Sequence, residues 1–273
     1  MNITNKRILV FGGAGSIGSE LVRQLAPKNK VYVVDINESG LFDLTDSIQS
    51  DTLWGRVGDV RDRLTVKEVF EDFKPQIVFN AAAYKHVPLM EYTPQEAINT
   101  NVNGHLNVVQ IAKTWECVEK LIYISTDKVV SSHSIMGATK LLGERITINQ
   151  GYTAVRFGNV MNSRGSLLKI WQRQVDSGEN ITVTDKRMER FMMTIPEAVS
   201  LILKAASESR GGDVWIMDMG EKVNIYELAK EIVKGKDIDI EVTGLRQGET
   251  LTEDIMTAEE RERAILKDNF YVI

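Results

Sequence analysis

Ile8-Leu9-Val10-Phe11-Gly12-Gly13-Ala14-Gly15-Ser16-Ile17-Gly18 is the stretch on which the fold turns. Four consecutive apolar residues suit a buried strand, and the segment after the glycines puts Ile17, Leu21, Val22 and Leu25 on one side of a helix. Between strand and helix, Gly12 permits a tight turn, Gly15 lets backbone approach a diphosphate at the helix N-terminus, and Gly18 allows helix and sheet to touch. Gly12, Gly15, Ser16, Ile17 and Gly18 are therefore candidate dinucleotide contacts. Asp35 ends the next apolar run, seventeen residues after Gly18, where a carboxylate accepts hydrogen bonds from ribose hydroxyls and repels a 2'-phosphate, favouring NAD over NADP. The bland readings are a purely structural glycine turn and a helix cap at Asp35.

Working outward, Val31 to Val34, Ile77 to Phe79, Leu121 to Ile124 and Ala154 to Val155 are further short apolar runs. Amphipathic segments separate them, the clearest holding Val66, Val69, Phe70 and Phe73 on one stripe. Continuous apolar strands alternating with helices predict a parallel sheet covered on both faces, the doubly wound (Rossmann) α/β class. Asp59 and Val60 follow the third strand and are candidates for holding adenine. Ala81 and Ala83 follow the fourth with side chains small enough to leave cofactor room. After Asn159 the rhythm loosens, with helices expected near Pro196 and over Ile225 to Val233. The reading is a dinucleotide-binding domain over 1–160 and a smaller α/β substrate-binding region over 161–273.

The 273 residues are 43% hydrophobic and 26% charged, ordinary globular composition. A net charge of -5, from 38 acidic and 33 basic residues, leaves no basic field for nucleic acid or an anionic membrane. Cys117 is alone, so no internal disulfide forms and a reducing cytoplasm is expected. No signal-like segment opens the chain and no run approaches the ~20 apolar residues of a membrane helix, so a soluble protein without membrane insertion is expected. His86, His105 and His133 show no metal-ligand spacing, and no metal site is assigned.

The fifth strand delivers Ser125-Thr126-Asp127-Lys128 at its carboxyl end, where open α/β sheets place ligands. Together with the glycine turn, the stretches AAAYKHVPLME (81–91), STDKVV (125–130), MGATK (136–140), RFGNV (156–160), SRGS (163–166), RFMMTIPEA (190–198) and TGLRQGE (243–249) resemble the extended short-chain dehydrogenases/reductases. Within that superfamily the chain is similar, nearly end to end, to the bacterial polysaccharide-biosynthesis UDP-N-acetylglucosamine 4,6-dehydratases. The usual tyrosine four residues before Lys140 is Met136, whose thioether cannot take a proton from a hydroxyl. The resemblance is to the subgroup carrying methionine there, often membrane-anchored and configuration-retaining, and this chain is expected to be a free-standing catalytic unit.

The resemblance implies a cycle on UDP-N-acetylglucosamine with NAD as cofactor. Hydride leaves sugar carbon 4, the ketone acidifies the hydrogen on carbon 5, water is eliminated across carbons 5 and 6, and hydride returns to carbon 6. Lys128 is expected as a neutral amine that removes the carbon-5 proton, and Asp127 as a protonated acid for the carbon-6 hydroxyl; burial would lower the amine and raise the carboxyl. Thr126 would bond the oxygen on carbon 4, and Lys140 the nicotinamide ribose. The first proton has three candidate acceptors: Asp127, Thr126 with water, or a ribose relay to Lys140. Lys85 would reach the cofactor and, with Leu89, Asn159 and Ser166, the substrate. Arg190, Arg246 and Glu249 would contact its diphosphate or uridine ribose. Read blandly, Thr126-Asp127-Lys128 is a surface turn and the arginines are exposed salt bridges. Competing functions are an inverting dehydratase, a 4-epimerase on the same sugar, or a non-catalytic regulator. A homo-oligomer is expected from the resemblance.

Overall fold

The computed structural model describes residues 3–273. Through residue 156 strands and helices alternate: β1 (Arg7–Phe11), α1 (Ser16–Leu25), β2 (Lys30–Asp35), α2 (Glu38–Ile48), β3 (Leu53–Val57), α3 (Arg63–Phe73), β4 (Ile77–Asn80), α4 (Val87–Tyr92), α5 (Pro94–Ala97), α6 (His105–Lys113), β5 (Lys120–Ile124), α7 (Ile135–Asn149) and β6 (Thr153–Arg156). A π-helical stretch, Ile98–Gly104, joins α5 to α6. The remainder runs β7 (Asn159–Val160), α8 (Leu167–Asp176), β8 (Ile181–Val183), β9 (Glu189–Arg190), β10 (Met192–Met193), α9 (Ile195–Glu208), β11 (Val214–Met217), β12 (Val223–Asn224), α10 (Ile225–Val233), β13 (Ile240–Val242), α11 (Ala258–Arg263), β14 (Ile265–Lys267) and β15 (Phe270–Val272).

Nine strands make one sheet in the order β14-β15-β11-β6-β5-β4-β1-β2-β3. From β3 to β11 every neighbouring pair is parallel, and at the far edge β15 alone is reversed, pairing antiparallel with both β11 and β14. The strand order reverses between β1 and β4, the switch point at which such sheets open a crevice beyond their carboxyl ends. One face packs Leu21, Val22, Leu41, Leu44, Leu201 and Ile202 from α1, α2 and α9. The other packs Val66, Val69, Phe70, Val108 and Val109 from α3 and α6. A satellite core around Trp171, Ile181 and Ile225 lies under α8 and α10.

Local chemistry sets the helix starts. The Asp62 carboxylate accepts the Leu64 N–H, and the Ser134 hydroxyl accepts the Gly137 N–H at 3.0 Å. Thr194 and Glu197 form a reciprocal capping box ahead of α9. The change of rhythm at residue 160 falls inside the architecture: β11, β14 and β15 come from beyond it yet extend the main sheet, because β11 pairs with β6. Among the described residues no helix is long and apolar enough to cross a membrane.

Candidate active site

Beyond the carboxyl ends of the central strands lies a cavity of about 650 Å³. Around it the fold gathers Gly12, Gly15, Ser16, Ile17, Gly18, Ala81, Ala83, Lys85, Thr126, Asp127, Lys128, Met136, Lys140, Asn159, Ser166, Arg190, Arg246 and Glu249. Asp35, Asp59, Val60 and Leu89 are not in its wall. Asp35 turns its carboxylate to backbone, accepting the N–H of Ala14 and of Asn37, each at 2.9 Å, and so braces the glycine turn. Asp59 is taken up by Arg61; burial alone would raise its carboxyl, but the arginine's side-chain and backbone hydrogen bonds hold it below the usual range. Val60 packs into the core, and Leu89 lies on an exposed part of α4.

The glycine turn has the shape a diphosphate needs. Gly12 has φ +74, and a Cβ there would stand 2.5 Å from the Ala82 nitrogen. Gly15 precedes α1 with no side-chain cap and no acid in the first turn, so the helix N-terminus meets the cavity with its dipole uncompensated. Arg164 closes the turn from the opposite side: its N–H bonds the Ser16 hydroxyl at 2.9 Å and its guanidinium bonds the Ala14 carbonyl. These features fit a dinucleotide.

At the end of β5, the Thr126 hydroxyl donates to Asp127 Oδ1 at 2.9 Å. The Asp127 side chain is fully buried, and its Oδ2 has no hydrogen-bond partner. Lys128 Nζ donates to Asp127 Oδ1 (3.0 Å), Asn159 Oδ1 (3.1 Å) and Glu253 Oε2 (2.7 Å). The expectation that burial lowers this amine is corrected here. Burial does act downward, but the charges of Asp127 and Glu253 outweigh it and hold Lys128 above the usual lysine range. Met136 is buried in the first turn of α7, and Lys140 follows one turn later. Lys140 donates to the Ile124 carbonyl, its Nζ stands 4.0 Å from the Tyr123 ring centroid, and burial pulls its pKa down to about 7 against the charge of Glu144. Lys85 donates to the Ser163 hydroxyl at 3.3 Å and is lowered by burial and by Arg164, Lys128 and Lys169.

At the other end, Arg190 is buried with its fork bonded to the carbonyls of Glu189, Thr250 and Leu251 at 2.8, 2.6 and 3.0 Å. It therefore shapes the 250–253 wall from within the lining of the cavity. Arg246 pairs with Glu249, Nε to Oε1 at 2.9 Å, at the exposed rim. Ser166 precedes α8 with a buried hydroxyl that has no partner. Of the cavity residues that escaped the sequence reading, two make contacts that matter to the site, Arg164 and Glu253. Arg164 lies inside the quoted SRGS stretch, but Glu253 carries no local signal at all.

Three relatives bear on what this arrangement does. The chain is 42% identical over 94% of its length to the "Capsular polysaccharide biosynthesis protein CapD" of Staphylococcus aureus, and spans 46% of that protein, about half. It is 32% identical to a "UDP-glucose 4-epimerase" of Rickettsia akari, over 98% of this chain and 83% of the relative. It is 30% identical to the "UDP-N-acetylglucosamine 4,6-dehydratase (inverting)" of Campylobacter jejuni, over 98% and 82%. Fold and cavity define the class: a doubly wound α/β protein with a dinucleotide-type glycine turn, similar to proteins named as nucleotide-sugar epimerases and dehydratases. Its family is narrower. The "Polysaccharide biosynthesis protein" family matches residues 8–273, and the chain belongs to it.

Proposed function

We propose that this chain is an NAD-dependent, configuration-retaining UDP-N-acetylglucosamine 4,6-dehydratase. The carrying observation is that Asp127 and Lys128 touch each other on the wall of the cavity that also holds Met136, Lys140 and the glycine turn. Epimerisation at carbon 4 calls for no acid at carbon 6; elimination calls for an acid and a base on one sugar.

The glycine turn and the open end of α1 would hold the NAD diphosphate and Lys140 its nicotinamide ribose, while Asp35, its carboxylate held by the backbone of Ala14 and Asn37, would offer its remaining lone pairs to the adenosine ribose. Bound there, NAD supplies reversible hydride acceptance. Thr126, bonded to Asp127, orients the oxygen on carbon 4 and passes its proton toward that carboxylate. Asp127 then gives a proton to the departing carbon-6 hydroxyl, while Lys128 removes the proton from carbon 5. Arg246 with Glu249, and the Ser166 end of α8, face the UDP portion. Met136 offers no hydroxyl, and its match to the methionine subgroup supports retention at carbon 5.

The test is purified chain with NAD and UDP-N-acetylglucosamine, read by mass spectrometry and proton NMR. The expected product is lighter by one water (~18 mass units) with a carbon-6 methyl doublet, as acid-base elimination requires. An isomer of unchanged mass would instead indicate a 4-epimerase, and NAD binding without turnover a regulator. Ring proton couplings distinguish retention from inversion. The reading includes a cytoplasmic homo-oligomer, checked by light scattering and cell fractionation.

A further inference from the structure

We infer that Glu253 is the positioning residue that receives a proton from Lys128 and so leaves it the free amine that elimination requires. This rests on the dehydratase reading above. All three Lys128 donors meet acceptors: Asp127, Asn159 and Glu253. An ammonium so bonded has no lone pair for the carbon-5 proton, and must first give one proton away.

The site has to store two protons at once, one from the carbon-4 hydroxyl and one from Lys128, and the two carboxylates touching Lys128 provide one place each. Asp127, bonded to Thr126 and with Oδ2 unpartnered, is placed for the hydroxyl's proton. Glu253 Oε2, at 2.7 Å from Nζ, is placed for the other: the Nζ–H bond breaks as the Oε2–H bond forms. The first transfer prompts the second. Once Asp127 is neutral, one of the two anions that kept Lys128 charged is gone, and a buried neutral amine and acid avoid the desolvation cost of a buried ion pair. Burial already biases Glu253 toward its protonated form.

The cycle closes without net proton uptake. Lys128 takes the carbon-5 proton as Asp127 protonates the leaving hydroxyl; Lys128 returns a proton to carbon 5 when carbon 6 is reduced; Glu253 then restores the ammonium. The charged groups around Glu253 are Lys128 and Asp127 from the turn after β5 and Arg190 from β9, whose Nε lies 3.5 Å from Oε1; Lys85 adds positive charge near Lys128. Arg190, fixed by three carbonyls, keeps the carboxylate from turning away.

The test compares wild type, Glu253→Gln and Glu253→Asp for kcat, KM and NAD affinity from mildly acid to alkaline pH. Gln keeps a hydrogen-bond acceptor but stores no proton. Its kcat should fall about 100-fold near neutrality, within the range of a lost general acid-base contribution, with KM and NAD affinity little changed. It should then climb with pH, as Lys128 loses its proton to solvent instead. Asp should recover part of kcat with a wild-type-shaped profile, and carries the test should the Gln variant misfold. A Gln variant within about threefold of wild type, well short of an acid-base contribution, or reduced by one factor at every pH, overturns the role. Wild type that never forms a dehydrated product overturns the parent reading and this inference with it.

Discussion

Lys140 has no carboxylate in hydrogen-bond contact: its amine bonds the Ile124 carbonyl and lies over the Tyr123 ring, and burial lowers its pKa to about 7. Unfolded, the same amine holds its proton up to the ordinary value of 10.5. Between those values the unfolded state binds more protons, so this residue makes stability rise with pH from about 7 to 10.5. Denaturant titrations should show that rise, on the order of a few kcal/mol, and Lys140→Met should flatten it. An unchanged slope in the variant would mean that the amine is solvated. The neighbouring Lys128 shows how far single residues are legible. Its adjacency to Asp127 in the chain makes the contact between the two side chains legible from sequence alone. The sign of its own shift depends on Glu253, 125 residues later, and no local pattern announces that a distant glutamate is buried beside it.

At the scale of elements, runs of apolar residues identify five of the first six parallel strands apart from their polar ends, and miss β3, whose Gly55 and Arg56 interrupt any such run. Arg7, Lys30, Lys120 and Arg156 belong to strands but break an apolar run. Such residues join strands because the ladder bonds backbone whatever the side chain. Arg156 is the sharpest instance, since its side chain is buried within the protein. The glycine turn is the most legible element because its constraints are steric. An added Cβ on Gly18 would lie 2.2 Å from the Gly12 oxygen and 2.7 Å from the Gly13 Cα. Those atoms are backbone and cannot swing aside, so Gly18→Ala should force α1 off the turn, costing about 1–3 kcal/mol as overpacking does. Titration of the variant with NAD should show weaker binding together with the lowered melting temperature. Full NAD affinity would argue that the turn does not hold the diphosphate.

Across the whole molecule, the candidate site depends on a tie that no linear pattern reveals. The Arg156 guanidinium on β6 bonds Glu144 of α7, the carbonyl of Ile255 at 2.9 Å, and both oxygens of Glu260 in α11, each at 2.9 Å. Glu144 in turn accepts the Ser125 hydroxyl at 2.6 Å, next to Thr126 and Asp127. One buried cation therefore joins the central sheet, the helix carrying Met136 and Lys140, and the C-terminal segment that contributes Glu253. Burial alone would make that cation harder to keep, yet the two carboxylates raise its pKa further and hold it charged. Arg156→Leu fills much of the volume but strands two buried carboxylates, and breaking such a network costs about 3–5 kcal/mol. Because stranded carboxylates regain neutrality by protonation, the deficit in unfolding free energy should shrink as pH falls through the carboxylate range. The kinetic consequence separates this tie from generic stability: below its melting transition the folded variant should lose kcat, since Glu253 and α7 are no longer held to the same strand. A variant that unfolds within about 1 kcal/mol of wild type, less than any buried ion-pair loss, would show that packing alone keeps the C-terminal segment on the site.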